Sequence, residues 1–291
     1  HVLFRRQRQM CIRDSIYMPS VKLENARILI TNDDGYSADG IKILTDIAKE
    51  FSDDVWVVAP EHEKSGASHA LSFQNALNLK EQAEKLYSID GTPSDCIAIG
   101  ISHVLKDKRP DLILSGINSG CNVGEDVTYS GTIAAAMEGL IRRIPSIAIS
   151  QNYEAGKKNV ISWDSSKHFL QGILTDITNV GWDSNVFMNI NFPYCQSGKV
   201  KSIQITTQGN RDTDDLIINE VENNLFRFGL RRRLEENAKL TLPPLNMAVD
   251  GFMSDVEAIA NQHISITPFH LDLTHHVSLN HLKTSIKSDI N

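Results

Sequence analysis

Two adjacent carboxylates, Asp33 and Asp34, close a short apolar run and are followed at once by Gly35. Like charges held this close raise each other's pKa, so the pair is costly unless something positive neutralises it. Taken alone, it reads more simply as one Asp capping a helix while the other faces water. Ser65 in KSGAS and Asn118 in SGINSG are the candidates for changing that reading. Carboxylate, hydroxyl and amide carbonyl oxygens together suit a hard divalent ion such as Mg²⁺ or Mn²⁺. Singly, Ser65 reads as a turn residue and Asn118 as a brace for its loop.

A second cluster could hold an anion. SGINSGCNVG sets Gly116, Gly120 and Gly124 around Asn118, Ser119 and Asn122, and YSGT at Tyr129 to Thr132 opens an Ala-rich run. A loop entering a helix N-terminus presents unpaired N–H groups and a positive dipole end to an oxyanion. Ser130 or Thr132 would serve equally well as an ordinary N-cap.

These residues need elements to position them. RILIT from Arg27 reads as a strand, NDDGYSADG as a loop and IKILTDIAKEF as a helix by its apolar spacing. VWVVAP is a continuous apolar run, the signature of a parallel strand covered on both faces. DCIAIGISHVL, PDLILSGIN, TIAAAMEGLIRR and PSIAIS continue the alternation of helix and strand. The expected fold is therefore α/β: a Rossmann-like three-layer α/β/α arrangement with a mainly parallel sheet. WDSSKHFLQGILTDIT predicts an amphipathic helix, VFMNINFP a strand stopped by Pro193, and VKSIQITTQG and HISITPF later strands. Residues 211–250, with an RRR run and PPLN, read as an extended hairpin arm. Three polar clusters, 32–35, 61–68 and 115–124, fall at strand carboxyl ends and should meet on one rim.

Composition narrows the function classes. The 291 residues carry a net charge of −7, which gives no overall basic field for polymeric nucleic acid. Hydrophobic residues make up 41% and charged residues 22%, so the chain has the composition of a globular protein. Its length fits one α/β domain, expected over 26–291 with the arm appended. Cys11, Cys96, Cys121 and Cys195 are scattered without metal-ligand spacing, which suggests free thiols and a cytoplasmic setting. No run of about 18 apolar residues suggests a membrane span. His270, His275, His276 and His281 fit no zinc spacing and are expected in a solvated terminus. Residues 1–17 are basic and lack amphipathic period, so they read as a non-native leader with Met18 as the start.

The ordered set ILITNDDG, VVAPEHEKSGAS, GTPSDC, PDLILSGINSGCNVGEDVTYSGTIAAAMEG and SITPFHLDLT resembles the SurE family of survival proteins over about Arg27 to Leu279. These motifs are long, ordered and collectively specific. The resemblance implies a metal-dependent phosphatase of nucleoside 5′- and 3′-monophosphates, with short polyphosphate as a further substrate. It implies one divalent ion per subunit, Mg²⁺ or Mn²⁺, held by Asp33, Asp34, Ser65 and Asn118, with Asp33 and Asp34 catalytic. It also implies phosphate contacts from Asn122, Ser130, Gly131 and Thr132, and a homodimer or homotetramer that exchanges the arm and tail segments. Two features depart from the family pattern: Cys121 stands where proline or another small residue is common, and ENNLFRFG lacks an aromatic-rich stretch.

Rival chemistries lack their signatures. No GxGxxG follows the first strand, as a dinucleotide site would need. Ser65 and Ser68 sit in no GxSxG elbow, and His69 alone makes no triad. A DxD motif for an aspartyl-phosphate is absent, which favours water as the nucleophile over Asp33. A nucleotide-binding protein without turnover is the rival from another class.

Overall fold

The computed structural model describes residues 20–154, 160–210, 216–230 and 249–286. The leader therefore lies outside the described residues but for its neighbours from 20 onward, as does most of the second half of the arm.

One ten-stranded sheet organises the chain. Its first strands are β1 (Ile28–Thr31), β2 (Val55–Pro60), β3 (Leu79–Ala83), β4 (Leu86–Ile89), β5 (Leu112–Ser119) and β6 (Ser146–Gln151). It is completed by β7 (Val186–Phe192), β8 (Ile203–Thr207), β11 (Met253–Ser254) and β12 (Ile264–His270), in the order β11-β8-β12-β7-β6-β5-β1-β2-β4-β3. From β4 across to β7 every pairing is parallel, and only β3–β4 and β7–β12 run antiparallel. The chain winds from β1 outward through β2 and β4, then returns to β5 on the other flank of β1. That reversal is a topological switch point, where open α/β sheets form a crevice beyond the strand carboxyl ends.

Helices cover both faces. α1 (Asp39–Lys49) and α4 (Asp164–Val180) pack on one side, α2 (Pro93–Ile99) and α3 (Gly131–Ile141) on the other. The alternation of β1 shows the division: Ile28 and Ile30 join Leu44, Leu170 and Leu174 in one core cluster, whereas Leu29 joins Cys96, Ile97 and Ala135 in another. α1 turns Ile41, Leu44 and Ala48 inward as its spacing predicts. Gly40 lets it sit hard on β5, since a Cβ there would lie 1.9 Å from the Ile117 carbonyl oxygen.

The expected helix at DCIAIGISHVL is shorter and better defined than its sequence suggests. Thr92 and Asp95 form a reciprocal capping box, Pro93 occupies the first turn, and after Ile99 the backbone widens into a π turn over Gly100–Val104. The arm region contributes an antiparallel hairpin, β9 (Leu216–Glu222) and β10 (Leu225–Leu230), which forms its own two-stranded sheet. Residues 211–215 and 231–248 of the expected arm lie outside the described residues. The tail is helical: α6 (His276–Ser285) follows a short α5 (Asp255–Ala260) and β12. Hydrogen bonds from Thr274, joined by His276 at 2.7 Å, hold the Asp272 carboxyl down at about 2. No helix among the described residues is long and apolar enough to cross a membrane.

Candidate metal and phosphate site

β1 delivers its carboxylates to the switch point through a tight turn. Asn32 is fully buried and holds that turn with both amide atoms, donating to the Gly35 carbonyl at 2.8 Å and accepting from its N–H at 3.2 Å. Gly35 sits at φ +103, a conformation that side chains rarely adopt. Asp33 points toward the α3 face and is 3% exposed. It accepts the Thr132 hydroxyl at 2.5 Å and hydrogen bonds from the Gly131 and Thr132 backbone. Burial outweighs these donors and raises the Asp33 pKa above its ordinary value. Asp34 is half-buried and accepts from the Ser119 N–H at 3.0 Å, which ties it to the end of β5.

A bulge re-aims the end of β5. The register to β6 shifts between Ser115 and Asn118, with a cis peptide at Gly116–Ile117. Gly116 sits at φ +143, and a Cβ there would lie 2.2 Å from the Ile149 carbonyl oxygen. Beyond the bulge, the Asn118 Nδ2 donates to the Gly120 carbonyl at 2.7 Å, and among the described residues nothing donates to its Oδ1. The third segment arrives through the Lys64 N–H, which donates to the Asp33 carbonyl at 2.7 Å. Ser65 follows it, exposed and donating to Glu63 Oε1 at 2.8 Å. The loops bearing Asp33, Asp34, Ser65 and Asn118 are thus joined by the Lys64 N–H on the Asp33 carbonyl and the Ser119 N–H on the Asp34 carboxylate.

The anion-binding candidates divide by what already engages them. Ser130 is the N-cap of α3, its Oγ accepting from the Ile133 N–H at 3.2 Å. A Cβ on Gly131 would stand 2.9 Å from Asp33 Cβ, so glycine is what lets the helix end approach the carboxylate. The anion at the α3 N-terminus in this structure is therefore the protein's own Asp33. Asn122 is 7% exposed and belongs to a buried amide network. Its Nδ2 donates to Ser150 Oγ at 2.8 Å, its N–H donates to Asn191 Oδ1 at 2.8 Å, and its carbonyl accepts from Asn189 and Asn191.

Several residues that support the site were missed in the sequence. Asn189 and Asn191 alternate along β7 in VFMNINFP, and a period-2 reading of that strand would have placed both on one face. Asp255, fully buried at the start of α5, accepts from the N–H groups of Gly124 and Gly209 at 3.1 and 2.7 Å. No local signal marks that residue as holding the loop after Asn122.

A hard cation fits this donor set. It offers two adjacent carboxylates, one of them buried with a raised pKa, beside a hydroxyl and an amide oxygen. Among the described residues, no group of three or more His, Cys, Asp and Glu could hold a metal ion, so a soft or borderline site of the zinc kind has no ligands here.

Parallel α/β winding with an acidic pair at the switch point, against a helix N-terminus, defines a class of open α/β proteins whose ligand crevice lies beyond the strand carboxyl ends. Comparison with known proteins narrows that class. The family model described as survival protein SurE matches residues 28–215. A 5′-nucleotidase SurE of Parvibaculum lavamentivorans is 44% identical over 255 residues, covering 87% of this chain and 88% of that protein. One from Paramagnetospirillum magneticum is 41% identical over 271 residues, covering 92% and 99%. The crystal structure of the SurE protein from Aquifex aeolicus superposes with a TM-score of 0.72 at 34% identity, covering 88% of this chain and 98% of that one. The chain belongs to the SurE family.

Proposed function

We propose that this protein is a divalent-metal-dependent phosphatase that hydrolyses nucleoside 5′- and 3′-monophosphates to nucleoside and phosphate. The observation that carries this reading is the Asp33–Thr132 contact, which fixes a buried carboxylate of the acidic pair against the N-terminus of α3. Relatives named 5′-nucleotidase SurE support the substrate class.

Asp33, Asp34, Ser65 and Asn118 would hold the metal, Mg²⁺ or Mn²⁺, one per subunit. When bound, such an ion supplies positive charge that neutralises the carboxylates and polarises a phosphoryl oxygen. Asp34, the more open carboxylate, orients a water for in-line attack on phosphorus, and Asp33 stays committed to Thr132 and the α3 backbone. The water's oxygen bonds to phosphorus as Asp34 takes its proton, the bond to the sugar oxygen breaks, and that proton passes on to the sugar oxygen. The phosphate contacts are assigned to Asn122, Ser130, Gly131 and Thr132. The N–H groups of Asn122 and Ser130 now donate to Asn191 and Asp126 and those of Gly131 and Thr132 to Asp33, so binding would exchange these partners for phosphate oxygens. Short polyphosphate fits the same chemistry, since its terminal phosphoryl group is also bound to an oxygen leaving group, through an anhydride rather than an ester linkage. A cytoplasmic homodimer or homotetramer is the accompanying proposal, supported by a β9–β10 hairpin that pairs with no other described strand.

Phosphate release from a panel of nucleoside monophosphates and short polyphosphate, after chelation and then with Mg²⁺ or Mn²⁺ restored, tests the reading. Metal-restored release that Asp34→Asn abolishes while its fold is preserved is the expected result. Absence of release from folded protein with every metal would refute it.

A further inference from the structure

Glu138 lies in the second half of α3, where its side chain is 4% exposed. A carboxylate at that depth is costly unless paired. The guanidinium of Arg142, one turn further along the same helix, takes Oε1. The other oxygen, Oε2, meets His69 Nε2 at 2.7 Å. That ring comes from the loop after β2, four residues beyond Ser65. His69 serves no serine: the Ser68 hydroxyl is committed to the Thr128 carbonyl at 2.8 Å.

The Ser65 segment has little to hold it by itself. Ser65 is exposed, Gly66 sits at φ +76, and a Cβ on Gly66 would meet nothing within 4 Å. Its position depends on the fixed points at either end. Upstream, the Lys64 N–H is bound to the Asp33 carbonyl. Downstream, the Ser68 N–H donates to the Tyr129 carbonyl at 3.1 Å, and His69 follows on Glu138. Ser68 sits at φ +52, a conformation strained for a non-glycine residue that persists only where neighbours impose it. A hydrogen bond to a carboxylate is the strongest of these anchors.

We propose that His69 is a positioning residue: clamped on Glu138, it holds the Ser65 loop in register with α3, so that Ser65 and the carboxylate pair act as one ligand set. The proposal rests on the metal-site reading above. Burial and the charge of Arg142 lower the His69 pKa. Because a carboxylate oxygen can only accept, the ring donates to Glu138 from Nε2.

The test is Mn²⁺ binding by the full chain after chelation, without nucleotide, following free Mn²⁺ by electron paramagnetic resonance in wild type, His69→Ala and His69→Gln. Losing one hydrogen bond to a charged acceptor should weaken Mn²⁺ binding by about tenfold in His69→Ala. Amide exchange in 61–70 should quicken while that of α3 holds. His69→Gln, whose side-chain amide can still donate to Glu138, should recover most of the affinity. In turnover, the half-saturating Mn²⁺ of His69→Ala should rise while kcat at saturation stays near wild type. Folded His69→Ala that binds Mn²⁺ as wild type does, or a Gln variant that recovers nothing, overturns the proposal. Wild type that binds Mn²⁺ but releases no phosphate would refute the functional reading, and the binding comparison would still decide the role of His69. A wild type that binds no Mn²⁺ overturns both.

Discussion

Replacing Thr132 by valine swaps a hydroxyl for a methyl group in a side chain that is fully buried, so packing volume is nearly kept. What is lost is the 2.5 Å bond to Asp33. A hydrogen bond to a charged group contributes about 1.5–3 kcal/mol, and in a domain of this size that corresponds to a fall of roughly 3–12 °C in Tm. The loss should depend on pH. Burial already raises the folded-state pKa of Asp33 above its ordinary value, so the native state binds the extra proton and stability falls as pH rises through that window. Thr132 opposes the rise, so its removal raises the pKa further and widens the window. The gap between wild type and Thr132→Val therefore opens with increasing pH and narrows toward the roughly 1 kcal/mol of a neutral bond once Asp33 is protonated in both. Urea unfolding of chelated protein across about pH 4 to 8 reads it directly, with Thr132→Ser as the variant that keeps the hydroxyl. A gap of constant size, or a serine variant as unstable as valine, would refute the carboxylate–hydroxyl account.

Gly131→Ala puts a Cβ 2.9 Å from Asp33 Cβ and 3.1 Å from Pro93 Cγ, so it should separate α3 from the carboxylate and cut phosphate release at least ~100-fold. Circular dichroism near that of wild type with unchanged kcat would argue against the close approach. Gly40→Ala drives a Cβ into the Ile117 carbonyl and should destabilise by about 1–3 kcal/mol or more, measured by denaturant midpoint. Burial pushes the fully buried Cys96 thiol well up, so iodoacetamide at pH 8 should label half-buried Cys121 and leave Cys96 unmodified until denaturant is added.

The parallel core was legible because its strands are buried on both faces and read as continuous apolar runs: ILIT and VWVVAP gave β1 and β2 within a residue or two. The β3–β4 hairpin was not, since LKEQA has neither alternation nor β-branched residues; its pairing to β4 decides its state, not its propensity. Asp33, Asp34 and Ser65 could be nominated because each follows a strand, and Asn118 because it stands at the end of one. Their mutual placement depends on the β5 bulge and on backbone bonds such as Lys64 to Asp33, which no residue pattern encodes. Glu138 shows the converse. In AAAMEG it resembles a surface residue of a core helix, and its burial is explained by Arg142 one turn on together with a partner 69 positions away in the chain.

The two edges of the main sheet bear on how copies of this chain can meet. At one edge, four of the five residues of β3 are exposed, and it carries Lys80, Glu81 and Gln82; at the other, β11 is two residues long and runs straight into α5. Charge on one margin and brevity on the other leave no long apolar strand to template a neighbour, which is how natural sheets avoid zipping together end to end. Growth of one continuous sheet across molecules is thereby closed off, and association must proceed through side-chain surfaces or through the separate β9–β10 ribbon.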